Sequence, residues 1–590
     1  MLRRLKYILP ALFVLAACKK DFLEINTDPN NPTKIEVSKL LTTVEKGVGD
    51  VLAIGGSGDN GGLSQVLGVY THQMSTREEP DQYGATGSEF YISLAWPKIY
   101  ASGLSTSTTP EYGVLQNLED IISNATEAGN TRYAGIAKVL KAYTYSQLVD
   151  VFGDVPFSEA NKLRQGIRNP KFDDDKEIYP KLFALLDSGI KDLSNTTAPN
   201  VQKPGADDLI YGGDTAKWKR AANTIKLKLY TQVRRVQNVT AEVTALVNSG
   251  SLISKTSESF MLPYGTNAAT DDRNPGFGDY YATQRSNHIS PWFYEILKGY
   301  NQKIFTGIRD PRVPYYIYNQ LGKTQSPRTI SPDQTEYRDS GFVSIYFGSV
   351  GPDRDRNQQN NISLYGIYPV GGKYDDGSGT IADANSGTGA APYRFITYAD
   401  RLYLEAELIN AGVLAGDAAA KTRAAIEESF RQVDYVITQF VKPNQTVPEL
   451  FPGSSAGTSG GTARADVAKY INDVMALYTA GSAARKLEII MTEKWISSFG
   501  SHVDQYTDYR RTGYPILFNP ADPTQAPGGK VTPPLNGNPD LPGPQESVPV
   551  QQSKSFPYSL PWYTGELETN ANAPSQKNPS EASAKVFWMP

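Results

Sequence analysis

The sequence predicts a mostly α protein: a tetratricopeptide-like scaffold of stacked helix pairs joined by long loops. Three observations point there. Apolar residues recur at three- and four-residue steps in one segment after another. These segments come in pairs, the arrangement in which each helix pair buries its apolar stripe on its neighbour. The chain of 590 residues also carries 36 Tyr, 51 Gly and 39 Pro, a composition of long ordered loops that present flat amphipathic rings. Length alone would allow about four domains of roughly 150 residues, so size does not limit the core.

Residues 1–17 read as a leader rather than as fold. Arg3, Arg4 and Lys6 form a basic head, and Tyr7 to Ala17 form an apolar core. That core is shorter than the ~20 residues a membrane-crossing helix needs, so it is a secretory signal. Leu15-Ala16-Ala17-Cys18 has leucine where an ordinary cleavage site wants a small residue, and resembles the bacterial lipobox. Cys18 is then expected to be acylated. Dozens of buried methylenes at about 0.8 kcal/mol each would make that anchor permanent. The alternative is an ordinary secreted protein with a chance cysteine. Residues 18–34, with Asn, Asp and two prolines and no sustained period, read as a lipidated tether and turn.

Helix begins at Ile35, where Leu40, Leu41, Val44, Val48, Val51 and Leu52 share a face, and the glycines from Gly55 to Gly62 end it. A second helix is expected over Leu63–His72. Phe90, Leu94, Ile99, Tyr100 and Leu104 mark a third, with Trp96 on its core stripe. Leu115 to Ala125 stops at Gly129, and Tyr133 to Val149 stops at Gly153. Further pairs are expected of Ile178–Leu193 with Trp218–Leu229, of Phe395–Gly412 with Gly416–Phe440, and of Ala465–Tyr478 with Ala483–Phe499. Between them lie irregular stretches: Met261–Ser290, Ser331–Ala391, Pro443–Thr462 and Asn519–Pro561. Loops this long in a compact protein are commonly functional, and the aromatics of the first two favour that reading.

Charge and composition exclude several functions. Lys plus Arg is 58 against 62 Asp plus Glu; losing Arg3, Arg4 and Lys6 leaves 55 against 62, a net charge of −7. That argues against nucleic acid as a partner and against binding anionic lipid by charge. With Cys18 the only cysteine, no internal disulfide is possible, and His72, His288 and His502 are too scattered to suggest a zinc site. No metal or cofactor is expected. Gly457-Thr458-Ser459-Gly460-Gly461 sits in a linker, not in the strand–turn–helix of a nucleophile elbow. Asp353-Arg354-Asp355-Arg356-Asn357 opens like a calcium loop, but Gln358 and Leu364 occupy the places of its glycine and glutamate, so an EF-hand is excluded. A different kind of cation site there stays open. Carboxylates are plentiful, yet none is paired with an aromatic platform in a recognisable glycosidase arrangement. The reading is therefore non-enzymatic.

Several stretches together resemble the SusD/RagB family of surface lipoproteins, and its second SusD-like group in particular. They are CKKDFLEINTDPNNPT from Cys18, RYAGIAKVLKAYTYSQLVDVFGDVPFSEA from Arg132, WKRAANTIKLKLY from Trp218 and Asp310-Pro311-Arg312. ITYADRLYLEAEL from Ile396, EKWISSFG and DYRRTGYP between Lys486 and Pro515, and FPYSLPWYTGELETNANAP from Phe556 complete the order, followed by the final KVFW. Most of the matched residues read as structural. Asp150 and Asp154 make a helix-stop turn. Trp218 and Asn223 pack inside a helix with a satisfied amide. Asp310-Pro311-Arg312 ends a helix, and Arg510 and Arg511 cap helices or pair with Asp504 and Asp508.

The resemblance implies one SusD-like unit over 35–590, with helix pairs over 35–330, a loop-rich part with further pairs over 331–590, and a few short strands. It implies attachment to the outer membrane, facing the cell exterior, beneath which a TonB-dependent SusC-like barrel is the partner. It implies capture of an oligosaccharide, with ligand contacts from Gln73–Tyr91, Thr266–Trp292 and Phe342–Tyr374. A capture site wants aromatic platforms with a few convergent polar groups. Within these stretches Tyr83, Tyr280, Tyr281 and Tyr346 are the expected stacking surfaces, and Asp81, Asn274 and Arg285 the polar groups. Trp292 starts a helix after Pro291 and suits either core or ligand. Rival readings are a peptide-binding RagB-like lipoprotein, a surface glycoside hydrolase, and a lid with no ligand of its own.

Overall fold

A computed structural model describes residues 35–55, 62–76, 83, 95–100, 113–282, 285, 287–325, 337–345, 347, 359–458, 460–519 and 554–590. The expected leader, Cys18, the tether and the Asp353–Asn357 segment lie outside the described residues.

The N-terminal helices follow the predicted faces, except the last, which is not among those expected. They are α1 (Val37–Leu52), α2 (Leu63–Tyr70), α3 (Val114–Glu127), α4 (Thr131–Phe152), α5 (Asp175–Leu193), α6 (Thr215–Val233) and α7 (Thr240–Asn248). Residues 95–100 are also helical, with Trp96 buried. Helix α4 is the axis of this half. It is buried on nearly every side, and α1, α3, α5 and α6 all pack on it. Its approach to α5 is close because Gly135 faces Gly189: a Cβ on Gly135 would lie 2.9 Å from the Gly189 carbonyl oxygen. The helix stops at Gly153, whose φ of +73° favours glycine. Helices α5 and α6 start on Asp174 and Asp214, whose carboxylates accept from the first free backbone N–H groups.

The middle of the chain holds short helices, α8 (Pro291–Lys298), α9 (Val313–Tyr316) and α10 (Ile367–Val370). The C-terminal part returns to longer ones: α11 (Tyr398–Asn410), α12 (Ala418–Val436), α13 (Ala465–Ala480), α14 (Ala483–Ser497) and α15 (Val503–Thr512). Helix α14 lies along α11 as well as against α13, its predicted mate. One buried apolar cluster joins Val37 to Trp588 and crosses the predicted division at residue 330.

Among the described residues ten short strands form five antiparallel pairs. Met74–Thr76 pairs with Asn287–Ile289, and Phe260–Leu262 with Tyr393–Ile396 across a bulge. The second pair corrects the helix expected from Phe395: the strand comes first, and α11 begins only after the Thr397–Asp400 capping box. Of the structural motif readings, Asn223 does donate its amide, to the Ser251 carbonyl at 3.1 Å, and the Trp218 indole N–H donates to Asp208 at 2.7 Å.

One motif reading is corrected and another is narrowed. Asp310-Pro311-Arg312 opens a helical turn, α9, instead of ending one, because Asp310 accepts from the Arg312 N–H at 2.8 Å. Arg510 pairs with neither expected aspartate and instead follows the other expectation, capping a helix end, the last turn of α4. Its guanidinium donates to the Tyr558 carbonyl at 2.6 Å and to that of Asp150, while Asp504 pairs with Lys228 at 2.5 Å. Arg511 does meet Asp508, at 2.8 Å, but its main partner is Glu407 on α11.

That last pair sets a pH dependence. Burial by itself would push the Glu407 carboxyl up, but Arg511 and Arg234 outweigh it and hold the group at about 2, below its ordinary 4.5. A folded value below the unfolded one stabilises the protein above pH 4.5 and is lost as pH falls toward 2. Thermal midpoints measured across that window should fall steeply for the wild type. They should fall less for Glu407→Gln, which starts lower; parallel curves would contradict this account.

Candidate functional site

The loop after Phe260–Leu262 is built on buried polar clamps. Asn274 accepts from the Gly276 N–H at 3.0 Å, which starts a 3₁₀ turn over Pro275–Tyr280. Its amide donates to the Ala391 carbonyl at 2.9 Å, and its backbone N–H to that of Gly389 at 2.7 Å. Tyr280 ends the turn inside the protein. Its hydroxyl donates to the Tyr365 carbonyl at 2.7 Å and accepts from the Lys373 N–H at 2.9 Å. Arg285 donates to the carbonyls of Tyr280 at 3.1 Å, Ala382 at 3.4 Å and Gln359. These residues tie the 263–285 loop to the 359–391 loop.

Tyr281, the next residue, turns outward and is 41% exposed. Its hydroxyl donates to Asp271 Oδ2 at 2.6 Å, and Arg273 Nε donates to Asp271 Oδ1 at 2.7 Å. The Arg273 guanidinium lies 4.8 Å from the Tyr281 ring centre and 5.1 Å from that of Phe277, so a cation–π contact adds to the ion pair. Arg273 Nη1 reaches the Ala384 carbonyl at 3.4 Å, linking this cluster to the segment that carries the exposed Ile381. Partial burial and the Asp271 hydrogen bond push the Tyr281 phenol up to about 12, so it stays a neutral donor. The result is a flat ring held in one orientation by an aspartate and an arginine. Such a ring can stack on an apolar ligand face, with the half-exposed Asp271 carboxylate beside it to accept hydroxyls.

Of the residues expected to contact ligand, Tyr281 alone is exposed among those described. Asn274, Tyr280 and Arg285 are corrected from contact groups to scaffold, because all three are buried and Asn274, the Tyr280 hydroxyl and the Arg285 Nη groups bond to backbone partners. Tyr83 is corrected too. It is 7% exposed, its ring lies 5.5–5.7 Å from those of Tyr70, Phe347 and Phe556, and its hydroxyl meets His72 Nε2 at 2.5 Å. Trp292 is core. Cys18, Asp81 and Tyr346 lie outside the described residues. Sequence reasoning missed Asp271 and Arg273, although the charged run Asp271-Asp272-Arg273 directly before Asn274-Pro275-Gly276 was there to be read.

Among the described residues no group of three or more His, Cys, Asp or Glu is arranged to hold a metal ion. No helix among them is long and apolar enough to cross a membrane.

The arrangement defines a class: a helix-pair scaffold that presents a rigidly held aromatic ring on an ordered loop. A SusD-like family model, described as "Starch-binding associating with outer membrane", matches residues 29–533, and the chain belongs to this family. No curated protein matches it. Solved structures share the fold. A chitin-binding protein is 20% identical with a TM-score of 0.60, the match covering 94% of this chain and 100% of that one. A SusD homologue from Bacteroides fragilis is also 20% identical, with a TM-score of 0.58 and coverage of 90% and 94%. A SusD/RagB family protein from Bacteroides thetaiotaomicron is 18% identical, with a TM-score of 0.62 and coverage of 94% and 99%. The family and the mostly helical fold expected from the sequence motifs are thereby borne out.

Proposed function

We propose that this protein is a non-catalytic, cell-surface lipoprotein that captures an oligosaccharide and delivers it to a TonB-dependent SusC-like barrel in the outer membrane. Lipid on Cys18 is its anchor, and the protein acts as a lid over the pore. The family description names starch and the outer membrane, and one solved neighbour is a chitin-binding protein. The observation that carries the reading is the Tyr281 ring, half exposed and fixed by Asp271 and Arg273. A pre-oriented ring loses little entropy on stacking against a sugar's C–H face. Binding through one ring and a few hydroxyls is weak, and weak binding suits a carrier, because fast dissociation lets the ligand pass on.

Affinity gels containing starch or soluble chitin test this. Tyr281→Ala should weaken retention about tenfold, near 1.4 kcal/mol, with an unchanged melting temperature. Asp271→Ala should weaken it less, by freeing the ring. Unaltered retention of Tyr281→Ala would remove the ring from the site.

A further inference from the structure

A second aromatic surface is made by other elements, where α5, the end of α6 and α7 meet the last residues of the chain. Phe183 lies one turn beyond Tyr179 on α5, and Tyr230 lies near the end of α6. Packing of the two helices stacks these half-buried rings with centres 4.3 Å apart and planes 21° from parallel. Phe587 joins them from the C-terminal tail. Its backbone N–H donates to Asp175 Oδ2 at 2.9 Å, and its ring stands edge-on to Tyr179 at 4.9 Å. Together they line a groove of about 500 Å³. Its rim carries Lys176, Gln237 and Glu242, with Val236 53% exposed beside them.

The Tyr179 hydroxyl is turned away to Asp150 and Gln232, but the polar groups at the rim of this groove are not engaged. Among the described residues, the side chains of Lys176, Gln237 and Glu242 and the hydroxyl of Tyr230 have no hydrogen-bond or ion-pair partner. On the same two helices Lys226 and Asp187 form an ion pair at 2.6 Å, and neither lines the groove. An aromatic floor with a few convergent, unpaired polar groups, at a volume within the ~300–1,000 Å³ of small-molecule sites, is the composition of a binding pocket. Its one cation and one anion cancel, which disfavours a charged ligand. Donors and acceptors are both present, which suits hydroxyl groups, and the rings suit the C–H faces of a pyranose.

We propose that this groove is a second carbohydrate site. A neutral pyranose unit stacks on Tyr230 and Phe183 and hydrogen-bonds to Lys176, Gln237 and Glu242. The ligand class rests on the function proposed above, whereas the groove's geometry does not. Two weak sites on one carrier raise the retention of a long glycan well beyond either alone, provided that a single chain spans both.

Calorimetric titration of the mature protein with maltoheptaose and with chitohexaose tests the proposal. At least one of them should bind with two sites per chain. Tyr281→Ala should leave one site. Adding Tyr230→Ala should abolish that site, and Gln237→Ala, an exposed side chain with nothing to lose in the fold, should weaken it at least fivefold. A wild type with one site, lost in Tyr281→Ala, overturns the groove and keeps the loop site. Binding that is lost in Tyr230→Ala but unchanged in Tyr281→Ala keeps the groove and removes the loop site. Binding of neither sugar overturns both. So does a groove whose variants lower affinity for a peptide or for the barrel but leave sugar binding intact overturn its assignment to carbohydrate.

Discussion

Replacing Arg312 by alanine is expected to lower the free energy of unfolding by about 3–5 kcal/mol, the usual cost of breaking a buried ion pair from one side. Arg312 is fully buried. Its guanidinium donates to Asp310 at 2.6 Å, to Glu493 at 3.1 Å and to the Ser429 hydroxyl at 2.9 Å, and lies 4.5 Å from the Phe430 ring centre. Burial opposes its charge, but the Asp310 carboxylate, the neighbouring tyrosines and Glu493 hold its pKa well above the ordinary value. Removing it leaves two carboxylates in a dry interior, where burial already pushes Glu493 up. Arg312→Lys keeps the charge but not the planar fork, so it should recover only part of the loss. Urea denaturation measures both. A loss under about 1 kcal/mol in Arg312→Ala would mean that water reaches the cluster.

Asp150→Ala should cost about 3 kcal/mol and loosen the C-terminal tail. This buried carboxylate accepts from the Tyr179 hydroxyl, from the Gln232 amide at 2.8 Å and from the Trp588 indole N–H at 3.1 Å. Each donor left without an acceptor costs about 1–3 kcal/mol. The adjoining backbone holds the same tail: the Leu560 N–H donates to the Val151 carbonyl and the Trp562 indole to that of Asp154, both at 2.8 Å. Burial pushes the Asp150 carboxyl up to about 6, against Lys228 and Arg510. A folded value above the unfolded 3.8 penalises the wild type above pH 6 and is relieved as pH falls through it. The gap between wild type and Asp150→Ala should therefore be wider at about pH 5 than at about pH 7.5. Limited proteolysis reads the tail directly; a tail that resists cleavage equally in both proteins would refute its dependence on Asp150.

Both residues belong to motifs that marked the family, and both hold the fold rather than a ligand. The Asp150–Pro156 stretch reads in sequence as a turn that stops a helix, and it is one. Its further role, docking a tail more than 400 residues away, needs Trp588 in contact with Asp150, a separation of 438 positions. No local pattern encodes that.

Helices were legible because their signal is local. A repeat of three and four residues, an aspartate before α5 and α6, and Gly153 after α4 each specify backbone within a few positions. Exposure in loops has no such source. Tyr280 and Tyr281 are adjacent and chemically identical, yet the first is fully buried and the second 41% exposed. What separates them is the 3₁₀ turn started by Asn274, together with the Tyr365 carbonyl and the Lys373 N–H, which claim one hydroxyl, and Asp271, which holds the other. Family, helix positions and tyrosine load follow from the order of residues along the chain. Which of the two rings is buried is decided by Tyr365 and Lys373, 85 and 93 positions from Tyr280, because burial is a property of the packed whole and not of any stretch within it.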